Sequence, residues 1–193
     1  MSKYPDESQC VAMLERAGCT KRVIVHSCTV KAVAVEIAKG FNADMELVVA
    51  GALLHDIGRS RDHTIMHAIA GAEMALKLGL PKELSDIIRK HIGAGLDDRD
   101  ALEMGIPKGD YIPRTIEEKI VAHADNMVSD NKVVPHTHTV EKLKMKGSPR
   151  GADRVIALHK ELSGMRGQDM DAVASSLGDS PALAGLCAAL ARK

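Results

Sequence analysis

Aromatic residues are almost missing from this 193-residue chain: no Trp, one Phe and two Tyr, 2% in all. Stacking platforms of the kind that hold single-stranded nucleic acid are essentially excluded. The core has to be aliphatic, built from Ala, Val, Ile, Leu and Met. Net charge is absent too, with 26 Lys plus Arg against 26 Asp plus Glu, so no overall field draws the chain onto nucleic acid or an anionic membrane. No apolar run approaches the roughly 18 residues of a bilayer span, and residues 1–20 lack the layout of a signal peptide. The expected location is the cytoplasm, with no membrane partner. Cys10, Cys19, Cys28 and Cys187 include no close C-x-x-C pair. In a reducing compartment that predicts buried small hydrophobes rather than disulfides or zinc ligands. Convincing strand alternation and internal repeats are lacking as well.

What is present is helix after helix. Apolar residues make up 45% and charged residues 27%, a globular balance. Val11, Leu14 and Ala17 share a face over residues 6–17, which Gly18 can stop. A second helix runs from Lys21 to Lys39 and ends at Gly40. Asp44 caps a third, reaching about Asp56, so apolar that it belongs at the centre of a bundle. A fourth spans Thr64 to Leu78, and Pro81 opens a fifth over 81–92. Residues 93–114, rich in Gly and Pro, predict a long loop. Thr115 and Glu118 resemble a capping box for a sixth helix reaching about Ser129. Residues 131–150 are left unassigned, and 151–163 and 181–191 read as helices. The fold class is all-α: a bundle of six or more helices in a domain over 1–150. Residues 151–193 form a C-terminal helical extension packed on it, with Ala182, Leu183, Leu186, Ala189 and Leu190 as its apolar stripe.

Within this apolar framework stand residues that are costly to bury alone. His55 and Asp56 follow the run Val48 to Leu54, and a buried charge must be paired or bind metal. His26 lies inside the second helix, His67 near the start of the fourth, His91 at the end of the fifth and Asp125 within the sixth. One or two such residues on each successive helix suit neutral imidazoles and ionised carboxylates converging on a cation. His63, one turn before His67, is its rival for the same face. His123 should point away from Asp125, two residues on. His136, His138 and His159 have no comparable context and read as solvent-exposed.

The order His26, His55-Asp56, Asp125 resembles the H…HD…D pattern of the HD superfamily of metal-dependent phosphohydrolases. The string Gly51 to Gly58 is similar to its HDIG form. The similarity covers about residues 20–130 and implies an all-helical HD fold, with His26, His55, Asp56 and Asp125 holding a first metal. His67 and His91 stand where HD proteins with two-metal centres, such as the HD-GYP phosphodiesterases and bacterial diadenosine tetraphosphate hydrolases, have two further histidines. The Gly-Tyr-Pro signature and the hydrolases' Pro-Gly-Arg segment are both absent, so neither substrate carries over.

The resemblance implies one or two divalent transition-metal ions. Mixed His and carboxylate ligation suits Fe, Mn, Zn, Ni or Co better than Mg or Ca. Two ions about 3.5–4 Å apart, sharing Asp56, would activate a water for attack on phosphorus. The expected partner is a small phosphorylated, nucleotide-like substrate. Arg59 and Arg61, directly after the motif, are the first candidates to bind its phosphate, with Arg89 or Lys90 behind them. The loop 93–114, with Asp97, Asp98, Arg99 and Asp100, is a candidate lid. Three rival readings remain: a regulatory module without turnover, a di-iron oxygenase, and an RNA-end phosphodiesterase. The last would use a local patch of Lys142, Lys144, Lys146 and Arg150, since an extended nucleic-acid surface is not expected.

Overall fold

The computed structural model describes residues 2–178. Among the described residues ten α-helices make up the fold: α1 Glu7–Ala17, α2 Lys21–Ala38, α3 Met45–Leu54, α4 His67–Lys77, α5 Lys82–Lys90, α6 Asp98–Met104, α7 Ile116–Asn126, α8 His136–Met145, α9 Pro149–Arg166 and α10 Met170–Ser175. A two-stranded antiparallel ribbon, β1 Val128–Ser129 and β2 Lys132–Val133, follows α7. Local chemistry sets the boundaries. Asp6 and Gln9 form a capping box for α1, and Gly18 ends that helix in the left-handed conformation only glycine adopts freely. The Asp44 carboxylate accepts the free N–H groups of Glu46 and Leu47 at the start of α3. Thr115 and Glu118 cap each other at the start of α7, as the sequence predicts.

Helix α3 sits at the centre. All its residues from Leu47 to Leu54 except Val49 are buried, and it packs against α1, α2, α5 and α7. Buried Leu14, Ile37, Leu53, Leu84, Ile88 and Ile120 make the core around it. A smaller cluster of Ile69, Leu96, Ala101, Ile106 and Tyr111 lies under the segment after α5.

Several boundaries depart from expectation. Helix α3 stops at Leu54, and a 3-10 turn over Ile57–Ser60 carries the chain on. Helix α4 begins at His67 rather than Thr64. The predicted loop 93–114 contains α6, whose capping box of Asp97 and Asp100 is too short a signal to read amid so many glycines. The unassigned stretch 131–150 resolves into β2 and α8, and α10 was not foreseen. Six residues carry too little periodicity to declare a helix. Cys10 and Cys19 are free thiols, but Cys28 is disulfide-bonded, against expectation. Cysteine pairing depends on through-space proximity, which spacing along the chain does not report. Cys187, the helix over 181–191 and its stripe lie outside the described residues. Among the described residues no helix is long and apolar enough to cross a membrane.

Candidate metal centre

The C-terminal ends of α3 and α5, the first turn of α4, the second turn of α2 and the last turn of α7 meet at one point. Asp56 is the hub. Its Oδ1 lies 3.0 Å from His67 Nε2 and 3.5 Å from His91 Nε2. Its Oδ2 lies 3.7 Å from His55 Nε2 and 4.0 Å from His26 Nε2. Asp125 Oδ1 closes the group, 3.0 Å from His26 Nε2 and 3.5 Å from His55 Nε2. One carboxylate thus turns an oxygen to each of two histidine pairs.

The backbone sets the tautomer of all four rings. His55 Nδ1 is 2.7 Å from the carbonyl of Ala52, His67 Nδ1 2.5 Å from that of Thr64 and His91 Nδ1 2.7 Å from that of Ile88. His26 Nδ1 is 2.8 Å from the carbonyl of Asp130. A carbonyl only accepts, so Nδ1 carries the proton and, in the neutral ring that binds metal, each Nε2 presents a bare lone pair to the centre. This is the outer-sphere arrangement that orients metal-binding histidines.

The lone pairs have no protein donor to satisfy them. His55 Nε2 and Asp56 Oδ1 are buried without a hydrogen-bond partner. His67 Nε2 and His91 Nε2 face each other at 3.0 Å, acceptor against acceptor unless a cation lies between them. Burial alone would push Asp56 and Asp125 up, yet the surrounding imidazoles hold both carboxylates well below their ordinary range. His55 is raised to about 9, because Asp56 and Asp125 outweigh its burial when nothing else supplies positive charge. Two sets of residues here, His26 with His55 and Asp125, and His55 with Asp56 and His91, have the spacing of a cation site. The donor set and the orphaned atoms fit a divalent ion.

Small residues permit the close approach. A Cβ on Gly58 would collide with the carbonyl oxygen of His67 and stand 2.6 Å from the Gly71 nitrogen. The glycine of the HDIG string is therefore what lets α4 dock on the turn after Asp56.

The structure brings together His26, His55, Asp56, His67, His91 and Asp125. His63 is exposed and His67 takes the position at the hub. Arg59 Nε lies 2.6 Å from Asp56 Oδ2 with a third of its side chain exposed. Arg61 is exposed and lines a different cleft beside Arg16, Met74 and Pro81. Lys90 is buried in ion pairs with Glu118 and Asp110, 3.0 and 3.1 Å away. The proposed lid is tied down. Arg154 reaches the Gly95 carbonyl, Asp97 and Asp100, and Arg150 reaches Asp100 and Glu103. Asn126, which sequence reasoning passed over, donates from Nδ2 to the Gly93 carbonyl at 2.8 Å and holds the chain just after His91. A polar residue beside Asp125 in so apolar a helix was the available signal.

The outer histidines depart from expectation. His138 is exposed as predicted, but His159 is buried and His136 only partly exposed. Both sit over a helix junction formed partly by the unforeseen α10. His123 does point away from Asp125, towards His159.

An HD domain model matches residues 23–130. The chain is 44% identical over 169 residues to a tRNA (cytidine(56)-2'-O)-methyltransferase of Thermoplasma volcanium, covering 88% of this chain and 50% of that protein. The chain therefore spans about half the length of that relative. It is 42% identical over 155 residues to an uncharacterized protein of Methanocaldococcus jannaschii, covering 76% of this chain and 91% of that one. Among solved structures, the HD domain of the L. monocytogenes phosphodiesterase PgpH superposes with a TM-score of 0.58 at 19% identity, over 87% of this chain and 98% of that one. The same domain has been solved with cyclic-di-AMP. The all-helical fold, the His and Asp clusters and the match over 23–130 agree, and the chain belongs to the HD domain family.

Proposed function

We propose that this protein is a metal-dependent phosphohydrolase acting on a phosphoester or phosphoanhydride bond of a nucleotide-like metabolite. One observation carries the reading: four imidazoles with fixed tautomers aim bare Nε2 atoms at two ionised carboxylates, with buried lone pairs left over. In this reading His26, His55, Asp56 and Asp125 hold one ion, and Asp56, His67 and His91 hold a second. A divalent Fe, Mn, Zn, Ni or Co ion bound there supplies Lewis acidity and lowers the pKa of a bound water.

The chain's own residues do the rest. Asp56 keeps both histidine pairs at a fixed separation. His26 and Asp125 are partly exposed, whereas His55, His67 and His91 are sealed. Substrate therefore approaches from the His26 and Asp125 side. Arg59, one third exposed and bonded to Asp56 through Nε, keeps its terminal nitrogens for a phosphate oxygen. Arg61 is a weaker candidate for that role, because it lines the other cleft. In this reading residues 1–150 are the domain that carries the centre, and α9 packs on α7. HD proteins are typically phosphohydrolases, and the cyclic-di-AMP complex of the PgpH domain makes a cyclic dinucleotide a natural member of a substrate panel.

A second reading is action on an RNA end, favoured by the relative named for tRNA and by exposed Lys142, Lys144 and Lys146. Steep salt dependence of binding would separate it from small-molecule recognition. The main test is metal analysis with a panel of nucleotides, phosphodiesters and phosphomonoesters, comparing wild type with Asp56→Ala. Loss of both metal and phosphate release supports the proposal; unaltered hydrolysis overturns it.

A further inference from the structure

A second group of histidines and carboxylates lies on the opposite side of α7. His123 of α7, His136 at the first position of α8, His159 of α9 and Asp171 of α10 converge there, with Asp169 capping α10. His136 Nδ1 is 2.9 Å from Asp171 Oδ2, and the His136 backbone N–H donates to Asp171 Oδ1 at 2.9 Å. His159 Nδ1 is 4.0 Å from Asp171 Oδ1. His159 Nε2 lies 3.1 Å from Asp169 Oδ2. A carboxylate only accepts, so Nε2 carries the His159 proton and Nδ1 is left bare.

Three features set this cluster apart from an ordinary hydrogen-bonded core. The rings of His136 and His159 stack at 3.6 Å between centroids, 16° from parallel, and that stack keeps two basic nitrogens close to one carboxylate. His159 Nδ1 also has His123 Nε2 only 3.2 Å away. His123 is fully buried and its Nδ1 has no partner, so one imidazole nitrogen there is unsatisfied whichever tautomer is drawn.

We propose that His136, His159 and Asp171, backed by His123, form a second divalent transition-metal site, separate from the HD centre. Their donor atoms already lie within 4.8 Å of one another. Ligands at about 2.1 Å from a zinc ion stand about 3.4 Å apart, so the group closes by about an ångström on binding. The ion takes the place of the proton between His136 Nδ1 and Asp171 Oδ2, and that proton leaves to His136 Nε2 or to solvent. His136 tilts off the stack to bring its lone pair in. Asp169 holds the His159 ring as a carboxylate typically holds a metal-bound histidine. The site clamps α8, α9 and α10 onto α7, and so fastens α9 and α10 to the HD core. Two imidazoles and a carboxylate suit Zn, Co or Ni.

The test uses the full chain and Zn2+ alone. Bound zinc is counted after dialysis for wild type and for His136→Asn and Asp171→Asn. Each variant should bind one equivalent fewer while its HD-centre metal is retained, and zinc should raise the melting temperature of wild type more than that of either variant. Equal zinc content in all three proteins overturns the proposal. A variant-free measurement guards against misfolding: Zn2+ added to wild type should shift the imidazole 15N resonances of His136 and His159. If those resonances stay fixed while the HD-centre histidines respond, no second site exists.

Discussion

His67 Nε2 and His91 Nε2 stand 3.0 Å apart with both of their Nδ1 atoms committed to backbone carbonyls. Two acceptors hold that distance in comfort only with positive charge between them. Exhaustive chelation should therefore destabilise the protein. A metal present at 100 times its dissociation constant contributes about 2.7 kcal/mol. That corresponds to a fall of roughly 5–10 °C in melting temperature for a chain of this size. Calorimetry with and without chelator checks it. His91→Ala should shrink the difference.

Arg59→Ala removes the Nε contact to Asp56 Oδ2 and the exposed cationic face. Activity on a phosphorylated substrate should fall about 10- to 100-fold, the usual cost of losing a partner that orients a metal ligand. KM should rise if the arginine also grips phosphate. Arg59→Lys, which cannot make the same fork, should rescue only part of the loss. Steady-state kinetics and metal content on both variants decide this.

Gly58→Ala places a methyl group against the carbonyl of His67 and the nitrogen of Gly71. Both obstacles are backbone, so α4 has to back away. Overpacking of this kind costs about 1–3 kcal/mol or more. The chemical-denaturation midpoint should drop accordingly. Metal affinity should weaken as well, because His67 moves with α4.

His123 is pushed down to about 3 by burial and by the neighbouring His159 and His136. The unfolded chain binds a proton there near pH 6.5 and the folded chain does not. The contribution is thus complete above about pH 6.5 and is lost as pH falls from there towards about 3. In metal-free protein, stability should decline across pH 6.5 to 4.5. His123→Gln should flatten that slope by up to one proton. Urea melts at several pH values measure it.

Arg154→Ala releases Gly95, Asp97 and buried Asp100 together. Charged hydrogen bonds are worth about 1.5–3 kcal/mol each, so amide exchange over residues 93–114 should accelerate by at least tenfold. Exchange in α3 should stay unchanged.

The helical order and the convergence of six side chains around Asp56 are legible because each sits in a local signal. His55 and Asp56 close an apolar run, and Asp125 interrupts one. Choosing His67 over His63 rested on the small residues after it, and Gly58 and Gly71 show why smallness matters at that contact. The role of Asn126 and the inward turn of His159 were not legible. Both depend on partners elsewhere in the chain, the Gly93 carbonyl and the carboxylate of Asp169 that caps α10, and no local pattern brings these together. Helix α6 was hidden because glycines and prolines on either side of it read as a loop.

Three of the four hub imidazoles grip the carbonyl three residues before them, so their rings are aimed by the final turn or lead-in of their own helix. His26 alone leans on a remote support, the Asp130 carbonyl in a tight turn where Asp130 itself adopts φ 56°. The pocket is thus a vice with three fixed jaws and one hinged. When the β1–β2 ribbon frays, only His26 loses its bearing, and ion exchange with the surroundings should run through that side.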